Sequence, residues 1–119
     1  MNIKEKVMKI AEKYGWSVSV EDESGNSIFF DFGKYSPVGQ DFHVSAELEN
    51  MDPDTLTDNL HARYLDFDVS SETYLWLDEF GHGKNGAPYD MKALYEDMEA
   101  CKDMIWKLYE LLEGTNWSE

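Results

Sequence analysis

Three times between Trp16 and Leu48 the apolar residues fall at every second position. Trp16, Val18 and Val20 alternate with polar neighbours, Ile28, Phe30 and Phe32 do so again, and Phe42, Val44, Ala46 and Leu48 alternate with His43, Ser45 and Glu47. A period of two sends successive side chains to opposite faces of a strand, so each run predicts a strand with one face toward a core and the other toward water. The polar stretch Glu21-Asp22-Glu23-Ser24-Gly25-Asn26 predicts the turn of a hairpin between the first two runs. The Gly33 to Gln40 loop, with Pro37 and Gly39, leads to a third antiparallel strand.

Helical periods flank this sheet. Asn2 is placed to cap a first helix with Ile3, Val7, Ile10, Ala11 and Tyr14 on one face and Gly15 as its stop. Asp52-Pro53 opens a second helix whose buried side carries Leu56 and Leu60, because Asp accepts the free amide hydrogens of a first turn and Pro has none to lose there. Ser70 or Ser71 is read as the cap of a short helix carrying Tyr74, Leu75, Leu77 and Phe80, which ends in the loop Gly81 to Pro88. Asp90 caps the longest helix, about residues 91–113. There Met91, Leu94, Met98, Cys101, Ile105, Leu108 and Leu112 repeat at spacings of three and four, the seam of a coiled coil and hence of a dimer. Tyr95, Trp106 and Tyr109 widen that stripe, which favours a helix packed on a sheet and on neighbouring helices. The expectation is an α+β fold in one domain, 1–119: a three-stranded antiparallel sheet with an N-terminal helix and two or three C-terminal helices packed mainly on one face. With 42% apolar and 14% aromatic residues the chain can fill one core without disulfide or metal staples.

Charge narrows the functions. The formal net charge is −15, which disfavours direct binding of nucleic acid or an anionic membrane and points to a basic or nucleic-acid-binding protein as partner. No apolar run is long enough to span a bilayer and the first residues lack a secretory core, so the expected location is the cytoplasm. A lone cysteine, Cys101, fits a reducing compartment and reads as a packed thiol. The acidity is uneven: residues 1–14 carry +2, 15–40 carry −3, 41–79 carry −10 and 80–119 carry −4. On the polar faces of the acidic middle lie Glu47, Glu49, Asp52, Asp54, Asp58, Asp66, Asp68, Glu72, Asp78 and Glu79. Carboxylates held in a row on a rigid fold can occupy a groove built for phosphates, and these ten are the candidate partner-binding residues.

The usual signatures of chemistry are weak here. Gly81-His82-Gly83-Lys84-Asn85-Gly86 has the spacing G-x-G-x-x-G, but a helix precedes it and Ala87-Pro88 interrupts its exit, where a dinucleotide site needs a strand before and a helix directly after. His43, His61 and His82 form neither an H-E-x-x-H pair nor any short helical interval. Asp52, Asp54 and Asp58 crowd a helix start, where the local dipole favours them, without the ordered series of an EF-hand. No catalytic, metal or cofactor residue is therefore assigned, and the reading is non-enzymatic, with a monomer or weak homodimer expected.

Two resemblances bear on this. Phe67-Asp68, Glu72, Trp76-Leu77, Gly83 and Gly86-Ala87-Pro88, followed by an acidic helix containing Leu94, resemble a pattern in small uncharacterised proteins of bacterial mobile elements and phages, over less than half the chain. The order helix, three strands, helices, together with high acidity, is similar to some anti-CRISPR and antirestriction proteins that imitate DNA. The second resemblance implies a nucleic-acid mimic that inhibits a host nuclease or another nucleic-acid-binding protein. The alternatives are an accessory or interaction module of a mobile element whose acidity serves solubility, with an exposed apolar patch near Trp117 or outside the last helix, and, more distantly, a small hydrolase using the Gly81 to Pro88 loop.

Overall fold

The computed structural model describes residues 2–118. Helix α1 (Ile3–Lys13) leads into strands β1 (Ser17–Ser24), β2 (Ser27–Tyr35) and β3 (Asp41–Leu48), followed by helices α2 (Pro53–Asp66), α3 (Val69–Leu75) and α4 (Met91–Glu113). The sheet is antiparallel in the order β1-β2-β3, and the expected α+β architecture is what the chain adopts. Strand pairing stacks the three apolar phases in register: Val18 stands opposite Phe32, Val20 opposite Phe30, Phe32 opposite Val44, and Phe30 opposite Ala46. The face so formed is buried by the helices. Helix α1 packs on β1 and α4, α2 on β3 and α4, and α3 on α4. Val7, Ala11, Leu56, Leu60, Ile105, Leu108 and Leu112 close over Ile28, Phe30, Phe32, Ala46 and Leu48 in one core.

The hairpin turn is shorter than its polar sequence predicts. Only Gly25 and Asn26 form it, with Gly25 at φ +57° at the first turn position, where primed hairpin turns need a left-handed backbone. Glu21 to Ser24 stay in β1, because these four residues at the end of an edge strand are exposed and tolerate charge while keeping their ladder hydrogen bonds. A bulge at Glu21 absorbs one residue, so that Val20 opposes Phe30 and Asp22 opposes Phe29.

The other edge is sealed by side chains. Asn59 Oδ1 accepts from the Glu47 amide at 2.9 Å, Thr55 Oγ1 accepts from the Glu49 amide at 2.8 Å, and Arg63 Nε donates to the Ser45 carbonyl at 3.0 Å. Thr55, Asn59 and Arg63 are spaced by four, hence on one face of α2, and together they take up outward backbone groups at Ser45 and Glu47 of β3 and at Glu49 just past it.

Two helix ends differ from expectation. The cap of α3 is Asp68, whose Oδ1 accepts from both the Ser70 and Ser71 amides, so the helix starts before either serine. One carboxylate serving two orphan donors at the positive end of the helix outcompetes a serine hydroxyl. The helix also stops at Leu75, leaving Leu77 and Phe80 outside it: Leu77 bridges to Gly83, and Asp78 Oδ1 takes the Phe80 and His82 amides into a turn. In α4 the cap and bounds are as expected, Asp90 accepting from the Ala93 amide. Its seam is buried from Leu94 to Leu112 in the chain's own core, whereas Met91, placed in that seam by its spacing, is 53% exposed. Trp106 and Tyr109 widen the stripe as anticipated, their rings meeting Tyr64 and His61 of α2 at 5.1–5.2 Å. Among the described residues no helix is long and apolar enough to cross a membrane.

This arrangement separates the two ends of the α4 seam. Leu108→Ala should cost about 2–5 kcal/mol through the cavity it leaves, and Met91→Ala should stay within about 0.5 kcal/mol. Urea titrations of the two variants check this; equal losses would contradict the packing of α4.

Candidate protein-binding surface

Because the helices cover one face of the sheet, the other is open, and its residues are the out-of-phase partners of the core. From β1 come Ser17 and Ser19, from β2 Phe29, Asp31, Gly33 and Tyr35, and from β3 Asp41, His43, Ser45 and Glu47. Glu21 joins them, its Oε1 accepting from Ser45 Oγ at 3.3 Å, and the bulge turns Asp22 to the same side, opposite Phe29. No lysine or arginine is placed on this face by the register. Its one basic group is His43, held between two carboxylates: Nδ1 lies 2.7 Å from Asp31 Oδ2 and Nε2 lies 2.9 Å from Asp41 Oδ1. The hydrogen bond to Asp31 raises the imidazole pKa above its usual value; burial opposes the rise, and the negative charges of Asp31 and Asp41 add to it. With the ring protonated, both nitrogens donate.

The ring lies where a side chain on the neighbouring strand would stand. A Cβ at Gly33 would come within 2.7 Å of His43 Cε1 and 3.0 Å of Ser17 Oγ. Gly33 thus sets the position from which His43 reaches both aspartates.

The ten carboxylates chosen from the sequence fall into three groups. Glu47, Glu49 and Asp58 line a groove of about 290 Å³ between β3 and α2. Asp52 and Asp54 adjoin it, because Asn50 and Met51, both with φ near +54°, turn the chain tightly enough for the Asp52 amide to reach the Glu49 carbonyl at 2.9 Å. Asp66 and Glu72 line a second groove with Arg63, Phe42 and Phe67, and Asp68 caps α3 beside it. Asp78 and Glu79 sit with Tyr74, Leu77 and Gly81 beyond α3. The Asp78 pKa is lowered, first by the hydrogen bond from the His82 amide; desolvation opposes this, and the Phe80 amide and the nearby His82 and Lys84 charges add to the lowering. Asp52, Asp68 and Asp78 therefore carry charge and also fix local backbone.

The first group continues onto the open sheet face through Glu47, which belongs to both, and the second meets that face at His43, which lines its groove. Glu21, Asp22, Asp31 and Asp41 complete that surface and were not among the ten. Their signal was present in the alternation, since Asp31 is out of phase with Phe30 and Phe32 as Glu47 is with Ala46 and Leu48. Glu21 and Asp22 were read as turn. The opposite side of the molecule differs: α1 is net basic, with Lys4 paired to Glu23 at 2.9 Å, and the exposed acids of α4 are interspersed with Lys92, Lys102 and Lys107.

The other candidates for chemistry have structural roles. A Cβ on Gly83 would stand 1.8 Å from the Pro88 carbonyl oxygen, and Gly81 and Gly86 take φ of +79° and +86°. The G-x-G-x-x-G spacing here thus follows from backbone that only glycine allows, in an excursion closed by Gly83 N–H donating to the Tyr89 carbonyl. His82 stacks on Tyr89 at 4.1 Å, and His61 meets Tyr109 at 5.2 Å with the rings tilted by 46°. Cys101 is buried, and its thiol pKa is pushed up to about 12 by burial first and by Asp97 and Glu72 next, which keeps it protonated at neutral pH. Among the described residues no three His, Cys, Asp or Glu side chains converge to hold a metal ion. No family model, curated protein or solved structure matches the chain.

His43 gives this surface a measurable pH response. A pKa raised in the fold means its contribution to stability is full below the unfolded value of about 6.5 and is lost as pH rises through the folded value. Following the imidazole by NMR should give a midpoint above that reference, moved down by Asp31→Asn and by Gly33→Ala, which displaces the ring. An unchanged midpoint in Asp31→Asn would show that the pair does not form in solution.

Proposed function

We propose that this chain is a non-enzymatic binding protein that presents its open sheet face and the adjoining β3–α2 groove to a basic partner, as a mimic of nucleic-acid phosphates. The observation that carries this reading is the continuity of Glu21, Asp22, Asp31, Asp41, Glu47, Glu49 and Asp58 across a surface whose outward strand positions hold no lysine or arginine among the described residues, Lys34 approaching at the Asp41 end alone. Dimensions support it. The molecule measures 51 × 25 × 21 Å, and a net charge of −15 along its long axis is one charge per about 3.4 Å, the linear density of one nucleic-acid strand. A partner whose groove is built for phosphates meets this field with lysines and arginines already desolvated and aligned, so long-range attraction supplies encounter rate and register. The intended target would be a nuclease or another nucleic-acid-binding protein.

A second reading has its own observation. Tyr74, Phe80 and Tyr89 are 77%, 76% and 68% exposed around α3 and the loop that follows, an apolar region of the kind that marks an interaction module whose acidity serves solubility. Trp117, expected at such a patch, instead packs half-buried on the core with Lys6 over its ring.

Affinity capture from host extract separates the two. The mimic reading expects a nucleic-acid-binding partner retained at about 50 mM salt and lost near 200 mM, displaced by added duplex DNA. It also expects no capture by a variant with Asp31→Asn, Glu47→Gln and Asp58→Asn. Capture insensitive to salt and to that variant, but abolished by Phe80→Ser, would replace it with the apolar reading.

A further inference from the structure

A cleft of about 380 Å³ lies beside the acidic face, between the start of β3, the α2–α3 junction, the loop at Asn85-Gly86 and the middle of α4. Its walls are aromatic. Phe42 and Phe67 meet edge to face at 6.0 Å, and Trp76, 36% exposed, stands with them around the same space. Its charged acceptors are the carboxylates of Asp41 and Glu72, and the side-chain amides of Gln40 and Asn85, which can donate or accept, complete its polar lining. No lysine or arginine lines it. The basic group on its wall, His43, has both ring nitrogens engaged by Asp31 and Asp41.

Glu72 is the informative side chain. It is half-buried, and among the described residues its carboxylate has neither a hydrogen-bond donor nor a cation within ion-pair distance. Arg63, which lines the neighbouring groove with Glu72, is tethered through Nε to the Ser45 carbonyl. Behind the cleft, Asp97 is 3% exposed and bonded only to neutral donors, the Val38 amide at 3.3 Å and Gln40 Nε2 at 2.6 Å. Among the described residues no cation stands at ion-pair distance from it. The Cys101 thiol on the cleft floor registers this field, since Asp97 and Glu72 both raise its pKa beyond the effect of burial.

A negative cleft with aromatic walls selects a cation that also has apolar flat faces. A guanidinium satisfies both, forking its N–H groups to a carboxylate while stacking on an indole or phenyl ring, whereas an ammonium is a strongly hydrated point charge. The volume suits one side chain and its stem, not an extended polymer. We infer that this cleft is a recognition pocket for an arginine side chain of the basic partner, with Glu72 as the ion-pair acceptor and Trp76 and Phe67 as stacking walls. The partner's basicity rests on the acidic-surface reading; the pocket's preference for a guanidinium does not.

The test uses the full chain with Nα-acetyl-arginine amide, the matching lysine amide and the neutral citrulline amide as probes, read by NMR shifts of assigned residues. The arginine compound should give saturable shifts at the Trp76 indole and the Asn85 amide, bind at least about threefold more tightly than the lysine compound, and leave the citrulline compound silent. Glu72→Gln should weaken it about tenfold, and Trp76→Leu should remove the preference over lysine. Asp22→Asn with Glu47→Gln on the open face, neither of which lines the cleft, should change it by less than about twofold. Shifts spread evenly over the acidic face, or equal binding of arginine and lysine, would overturn the proposal while leaving salt-sensitive capture of a partner intact. Arginine binding together with partner capture unaltered by Glu72→Gln would refute the anchoring role.

Discussion

The structure depends on the unequal fate of the two faces of β2. As the central strand it has neighbours on both sides, so its Ile28, Phe30 and Phe32 must be covered by helices, and they are buried to 1% exposure or less. Once α1, α2 and α4 occupy that side, none of the described elements covers the other, and its residues must be compatible with water. Burial on one face thus dictates polarity on the other. What distinguishes this protein is that the polar face is rich in carboxylates, with Lys34 and Arg63 reaching it from its margins, which places like charges on adjacent strands where mixed charge would be more stable. His43 relieves part of that repulsion at the Asp31–Asp41 end, and only while protonated.

Elements set by local chemistry were legible in the sequence. The three strands follow from strict alternation, α1 and α4 from their caps and periods, and α2 from Asp52-Pro53. What depended on distant partners was not. Asp97 reads as a polar interruption in an amphipathic helix, yet it is buried because the β2–β3 loop bends back to give it two donors. The start of α3 was misplaced by two or three residues, since Asp68 and the serines are all capable caps and only the chain's path out of α2 chooses between them.

The candidate surface was half legible for the same reason. Choosing acids by their position in the charge-rich middle segment found Glu47, Glu49 and Asp58, but it also gathered Asp78 and Glu79, which lie beyond α3, away from the β3–α2 groove. Pairing in the sheet recruits Asp31 and Glu21 from outside that segment. Proximity along the chain and proximity across a sheet are different measures, and a binding surface made by strand register follows the second. The pocket at Glu72 is further removed from sequence, because four separate segments contribute its walls.

The bulge at Glu21 acts on β1 as a frame shift acts on a message. Three acids run in succession through a strand whose inner side faces the core, and without the extra residue Asp22 would take the place opposite Ile28. The inserted position delays the phase by one, so that Glu23 arrives there instead. Its side chain is one methylene longer and ends on Lys4 of α1, while Asp22 passes to the open face. A single unpaired residue thereby decides which of three neighbouring carboxylates fastens the first helix and which two are left for a partner.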